Sequence, residues 1–122
     1  HKLDNNIILP GFISEEDISM YFSLTDFFVS PMNDTVQDWA RCPSKLYMYL
    51  PYRKPIITCK IGEPYNVLGN NGFYYEPSSS DSLAYEMEKL LESGKTTIAI
   101  EPMEHEWRYR TNEFYKWIRS TF

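Results

Sequence analysis

Apolar residues in this chain fall into short unbroken runs, separated by longer stretches where they recur at helical spacing. The runs are Ile7-Ile8-Leu9, Phe27-Phe28-Val29, Pro55-Ile56-Ile57-Thr58 and Gly72-Phe73-Tyr74-Tyr75. None alternates apolar with polar positions, so each predicts a strand buried on both faces, as in a parallel sheet. Between them, Ser14 followed by Asp17 resembles a capping box with Asp in place of Glu, with Ile18, Phe22 and Leu24 on the inner face. Leu83, Met87, Leu90 and Leu91 keep the spacing of a helix packed on one side, ended by Gly94. Trp107, Phe114, Ile118 and Phe122 repeat similarly in the last segment. Pro77 to Asp81 reads as a turn and helix cap. Thr96 to Ile100 is β-prone but isolated.

Strands alternating with helices predict an α/β fold, a three-layer sandwich around a parallel sheet. The 122 residues fit one domain. A 43% hydrophobic and 24% charged composition is that of a globular chain. The 16% aromatic share fits either a rich core or a face made to meet a partner. A net charge of -5 leaves no basic footprint for a nucleic-acid backbone, and Arg53-Lys54 is too short to hold an acidic membrane surface. Cys42 and Cys59 form neither a disulfide framework nor a metal-ligand spacing, and read as reduced thiols. No stretch has the length of a membrane span. The expectation is a cytoplasmic protein, at most peripheral at a membrane.

In an open α/β sheet, ligands bind beyond the carboxyl ends of the strands. The loop after Val29, from Ser30 to Cys42, is long for a strand-to-helix connection and carries Asn33, Asp34, Asp38 and Arg41. The loop after Thr58 carries Gly62 and Glu63. The first loop feeds a helix predicted to start around Pro43-Ser44-Lys45, with Pro43 suited to the first helical position. A lysine in the first turn meets the positive end of the helix dipole, which is unfavourable unless an anion is near. With free N–H groups it makes a diphosphate site. The plainer alternative is a Lys45 that bends into solvent or pairs with Asp34 or Asp38. His105, between Glu104 and Glu106, reads as a solvated residue.

At these residues the sequence resembles retaining GT-B glycosyltransferases of the group-one, family-four class. Asn6 to Ile18 is similar to that family's "strand, Gly-Phe, Ser-x-Glu-x-Leu" stretch, and Thr25 to Pro31 to its "Ala-Asp-hydrophobic-Ser/Pro" strand. Pro43-Ser44-Lys45-Leu46-Tyr47-Met48-Tyr49, followed by Lys54-Pro55-Ile56-Ile57-Thr58, resembles "Pro-Ser-Lys-Leu-x-Glu-Tyr … Gly-Lys-Pro-Val-Val". Gly72 to Pro77 and the Trp107 segment also fit. The resemblance implies a Rossmann-like C-terminal domain that binds a nucleotide-activated sugar for hexosyl transfer to a glycan, such as a cell-envelope or capsule polysaccharide, or to another acceptor. It implies no metal and no other cofactor. It also implies an acceptor-binding N-terminal domain as partner, so residues 1–122 read as one partial donor domain, inactive alone, without the first strands of the family's fold.

The resemblance assigns donor phosphate binding to Pro43, Ser44 and Lys45, with Asp34, Asp38, Arg41, Gly62 and Glu63 as possible sugar or ribose contacts. It identifies no catalytic residue. Two departures bear on activity. The family's Glu-x7-Glu positions are Ala40 and Met48 here, and neither accepts a ribose hydroxyl bond usefully. The family's turn glycine is Arg53, so the helix is expected to end near Leu50 by another turn. The alternative reading is therefore a degenerate GT-B-like binding or scaffold module.

Overall fold

The computed structural model describes residues 6–121. Three short strands, β1 (Phe28–Val29), β2 (Ile56–Thr58) and β3 (Phe73–Tyr74), form one sheet in the order β1-β2-β3. Both pairings are parallel, with Phe28 opposite Ile56 and Ile57 opposite Phe73. Ladder bonds extend past each strand: Ser30 N–H donates to the Ile57 carbonyl at 2.9 Å, and Tyr75 N–H to that of Thr58 at 3.0 Å.

Helices cover both faces. Those before β2 are α1 (Glu15–Leu24), α2 (Val36–Ala40) and α3 (Ser44–Tyr49), the last continued by a 3-10 turn over Leu50–Tyr52. After β2 come α4 (Gly62–Leu68), α5 (Ser80–Ser93) and α6 (Trp107–Thr121), with a 3-10 turn at Pro102–His105. Ile56 and Ile57 are fully buried yet belong to different clusters, as the period of a strand requires. On the first face Phe28, Leu46, Leu50 and Leu68 pack with Phe22 from α1. On the second, Met32, Ile61 and Tyr75 pack with Leu90, Leu83 and Met87 from α5. The fold is thus the expected Rossmann-like three-layer α/β arrangement.

Caps and turns explain where the helices stop. Ser14 caps α1 as the pattern predicts: its Oγ accepts from Asp17 N–H and donates to Asp17 Oδ2 at 2.7 Å. Lys54 Nζ donates to the Ser23 and Thr25 carbonyls, placing a cation at the negative end of α1. Ser79 caps α5 and Gly94 ends it at φ 62°. Arg53 takes the left-handed conformation, φ 51°, after the turn at Leu50–Tyr52, the geometry a glycine adopts without strain.

Four expectations change. Ile7-Ile8-Leu9 forms no strand; these residues face solvent, Ile8 at 84% exposure. A strand needs ladder partners, and among the described residues β1 pairs only with β2. Leu91 is exposed, and the residues buried on α5 are Leu90 and Glu86, the carboxylate of the latter paired with Lys89 at 2.9 Å. Leu24 is exposed too. Finally, α6 forms but buries none of its described residues, so its apolar face has no cover among them; Phe122 lies outside the described residues. The isolated segment Thr96 to Ile100 is no strand, yet Ile98 and Ile100 are buried beside Phe28, and Ile98 N–H donates to the Arg53 carbonyl at 2.8 Å.

The aromatic residues divide between the core and the surface. Phe28 stacks on Tyr49 with centroids 4.1 Å apart, and Phe22 meets both edge-on. Trp107, Tyr115 and Trp117 lie exposed.

Candidate functional site

The loops leaving the strands border two hollows. The smaller, about 280 Å³, is lined from all three loops: Asp34 and Trp39 after β1, Lys60 and Ile61 after β2, Glu76 and Pro77 after β3. It lies where an open α/β sheet offers a ligand site. The larger, about 710 Å³, lies between the starts of α3 and α4 and the segment that leads into α6. Cys42, Ser44 and Tyr47 form one wall, Glu63 another, and His105 and Trp107 a third.

The long loop after β1 is held by its own side chains. Asp38 is buried; one oxygen accepts from Asn33 N–H at 2.5 Å and the other pairs with Arg41 Nε at 2.9 Å. Arg41 also donates to the Pro31 carbonyl at 3.2 Å, and Asp34 accepts from Trp39 Nε1 at 2.7 Å. A buried carboxylate with both a backbone donor and a guanidinium is a stable way to fix a loop. Thr35 caps α2 through Asp38 N–H, closing the same loop.

Pro43 occupies the cap position of α3 rather than its first turn, and supplies no side-chain cap bond. Ser44 opens the helix and faces the larger cavity. Lys45 is half-buried and makes no ion pair or hydrogen bond with any described residue. Asp34 and Asp38, the partners expected for it from sequence, are engaged within the loop. Gly62 begins α4 at φ 49°, pressed against the backbone of α2. The structure therefore brings Ser44 and Glu63 to one cavity, places Asp34 at the other, and gives Asp38, Arg41 and Gly62 to the loop itself. Ala40 and Met48 are both exposed.

Sequence reasoning missed the partners of Glu63. Tyr47 O–H donates to Glu63 Oε1, sixteen positions away. Burial first, then this bond, raises the Tyr47 pKa and keeps it a neutral donor. His105 lies with its ring 6.2 Å from that of Tyr47 and its Nδ1 3.4 Å from Arg110 Nη2. A guanidinium can only donate, so Nδ1 is the acceptor and the neutral ring carries its proton on Nε2. Burial, then Arg110, lowers the His105 pKa, against smaller opposite effects of Glu104 and Glu63. Nothing in the local sequence marks the Tyr47–Glu63 and Tyr47–His105 pairs, which are made by the fold.

Among the described residues no group of three or more His, Cys, Asp and Glu side chains converges to hold a metal ion, and no helix is long and apolar enough to cross a membrane. A Rossmann-like domain with its loops gathered at the carboxyl ends of a parallel sheet defines the class of the molecule. Its family follows from sequence: the profile described as Glycosyl transferases group 1 matches residues 1–93, and the chain belongs to that family. The match ends with α5, so Pro102–His105 and α6 lie beyond it. No curated protein and no solved structure matches the chain significantly.

Proposed function

We propose that this domain binds a nucleotide-activated sugar and supplies donor binding for hexosyl transfer to a glycan or other acceptor, as part of a GT-B enzyme with an acceptor-binding N-terminal domain. The observation that carries the reading is Lys45. A half-buried lysine without a carboxylate partner among the described residues, in the first turn of a helix, is stabilised by an anion. The donor diphosphate fills that role, with Ser44 beside it, and such fixed positive groups stabilise a departing diphosphate. No metal is required for that chemistry in this reading.

Ala40 and Met48 favour a second reading, a degenerate binding or scaffold module, because neither offers the carboxylate that grips a ribose. Calorimetric titration of the full-length protein with a panel of UDP-, GDP- and ADP-sugars separates them. Saturable heat with at least one donor supports the transferase reading. A flat response across the panel supports the scaffold.

A further inference from the structure

We infer that α6 is an interfacial helix that lies on an anionic lipid bilayer, its aromatic stripe seated among the headgroups and its arginines paired with lipid phosphates. Every residue from 107 to 121 is exposed, and α6 lies past residue 93, outside the family match.

The stripe follows from the spacing. Trp107, Phe114, Trp117 and Ile118 stand at i, i+7, i+10 and i+11, along one side of the helix. Phe114 and Trp117 stack with centroids 5.9 Å apart, making one apolar plate. Arg108 and Arg119, eleven residues apart and so in line, follow one border of the stripe beside Tyr115, and Arg119 lies 5.2 Å over the Tyr115 ring. Glu113, the one acid of the helix, is paired with Lys116 at 2.8 Å.

Charge decides which surface the helix meets. The chain holds 12 Lys and Arg against 17 Asp and Glu. The helix has four of the first and one of the second, so it carries +3 and the remainder of the chain −8. A cationic helix on an acidic body turns toward a negative surface and keeps the body away from it. No basic run marks it in the sequence, because the four cations are spaced along a helix rather than consecutive. Glu104 and Glu106 precede the helix, so the contact is closest toward Trp117 and Arg119.

The side chains favour lipid over a protein face. The helices that pack within this fold do so through Leu46 of α3 and through Leu83, Met87 and Leu90 of α5. By contrast α6 contains no Leu, Met, Val or Ala; apart from Ile118 its apolar residues are Trp, Phe and Tyr. Rings with a polar tip suit a boundary that is apolar on one side and wet on the other. Arginines on the flank lay their stems along that boundary and reach phosphate with their heads. Such a composition is that of helices lying in the plane of a bilayer interface.

Flotation of the full-length protein with vesicles tests this, using phosphatidylcholine alone and an equal mixture of phosphatidylcholine and phosphatidylglycerol. Binding is expected to the mixed vesicles, weak or absent with phosphatidylcholine, and weaker as salt is raised. Phe114→Ser with Trp117→Ser, and separately Arg108→Gln with Arg119→Gln, are each expected to weaken it about tenfold or more. All four side chains are exposed and none lines either hollow, so the variants keep the fold, checked by circular dichroism, and the outcome is independent of donor binding. No binding to the mixed vesicles overturns the inference, as does binding that either variant leaves unchanged. Slow amide hydrogen exchange across α6 in the lipid-free protein overturns it too, by assigning the stripe to another domain of the chain. A dimer that Phe114→Ser with Trp117→Ser abolishes does the same, by assigning it to a second copy.

Discussion

Gly62 lies directly against the backbone of Trp39: a Cβ built at Gly62 would sit 2.8 Å from the Trp39 carbonyl oxygen and 3.1 Å from that of Asp38. The contact joins the first turn of α4 to the loop that carries Asp34, Asp38 and Arg41. The same residue holds φ 49°, so a side chain is opposed by both space and conformation. The glycine is what lets the loops after β1 and β2 close on one another.

Gly62→Ala is accordingly expected to cost about 2–4 kcal/mol, the sum of a left-handed non-glycine residue and a clash with immobile backbone. Urea denaturation measures it. A loss under about 0.5 kcal/mol, the scale of an ordinary surface change, would show that the two loops do not depend on this approach.

Ser30 follows β1 at the mouth of the long loop. Its side chain is fully buried and its Oγ has no hydrogen-bond partner among the described residues, while its carbonyl accepts from Thr58 Oγ1 at 2.8 Å. Ser30→Ala removes the orphan hydroxyl and leaves the backbone bond, so a gain of about 1 kcal/mol is expected in the same denaturation assay. A loss of stability would mean that the hydroxyl has a partner in solution.

His105 links the cavity to pH. Its pKa is lowered from the ordinary 6.5, by burial first and Arg110 second. The folded protein then binds fewer protons than the unfolded chain between the lowered value and 6.5. The stability it contributes is complete above pH 6.5 and falls as pH drops through that window. Ring-proton NMR should place its midpoint below 6.5, and Arg110→Ala should move it upward. A midpoint at or above 6.5 would contradict the packing of residues 102–110 on Tyr47.

The strands around Phe28, Ile57 and Phe73 were legible because a strand buried on both faces leaves an unbroken apolar run, and Ser14, Ser79 and Gly94 marked helix ends through chemistry local to each. Ile7-Ile8-Leu9 carries the same run without becoming a strand, because pairing depends on a neighbour that pattern does not encode. Arg53 hid its turn: the left-handed backbone is there without the glycine that would announce it. The site divides the same way. The helix start at Ser44-Lys45 could be read from a few consecutive residues, and the family signature reinforced it. The Tyr47–Glu63 and Tyr47–His105 contacts could not, since the first spans two helices and the second depends on how the chain beyond α5 returns to α3. Asp38 shows the reverse case: a carboxylate in the long loop after β1, legible as a ligand contact, is engaged by Arg41 and the Asn33 amide.

The most direct measurement is the affinity of the full-length protein for the nucleoside diphosphate of its preferred donor, by calorimetry, with and without Lys45→Ala. Removing this cation should weaken binding about tenfold or more, the worth of one charge-assisted contact, while leaving the fold intact. Equal affinities for the two proteins would contradict the diphosphate role of Lys45 and, with it, the donor site at the start of α3.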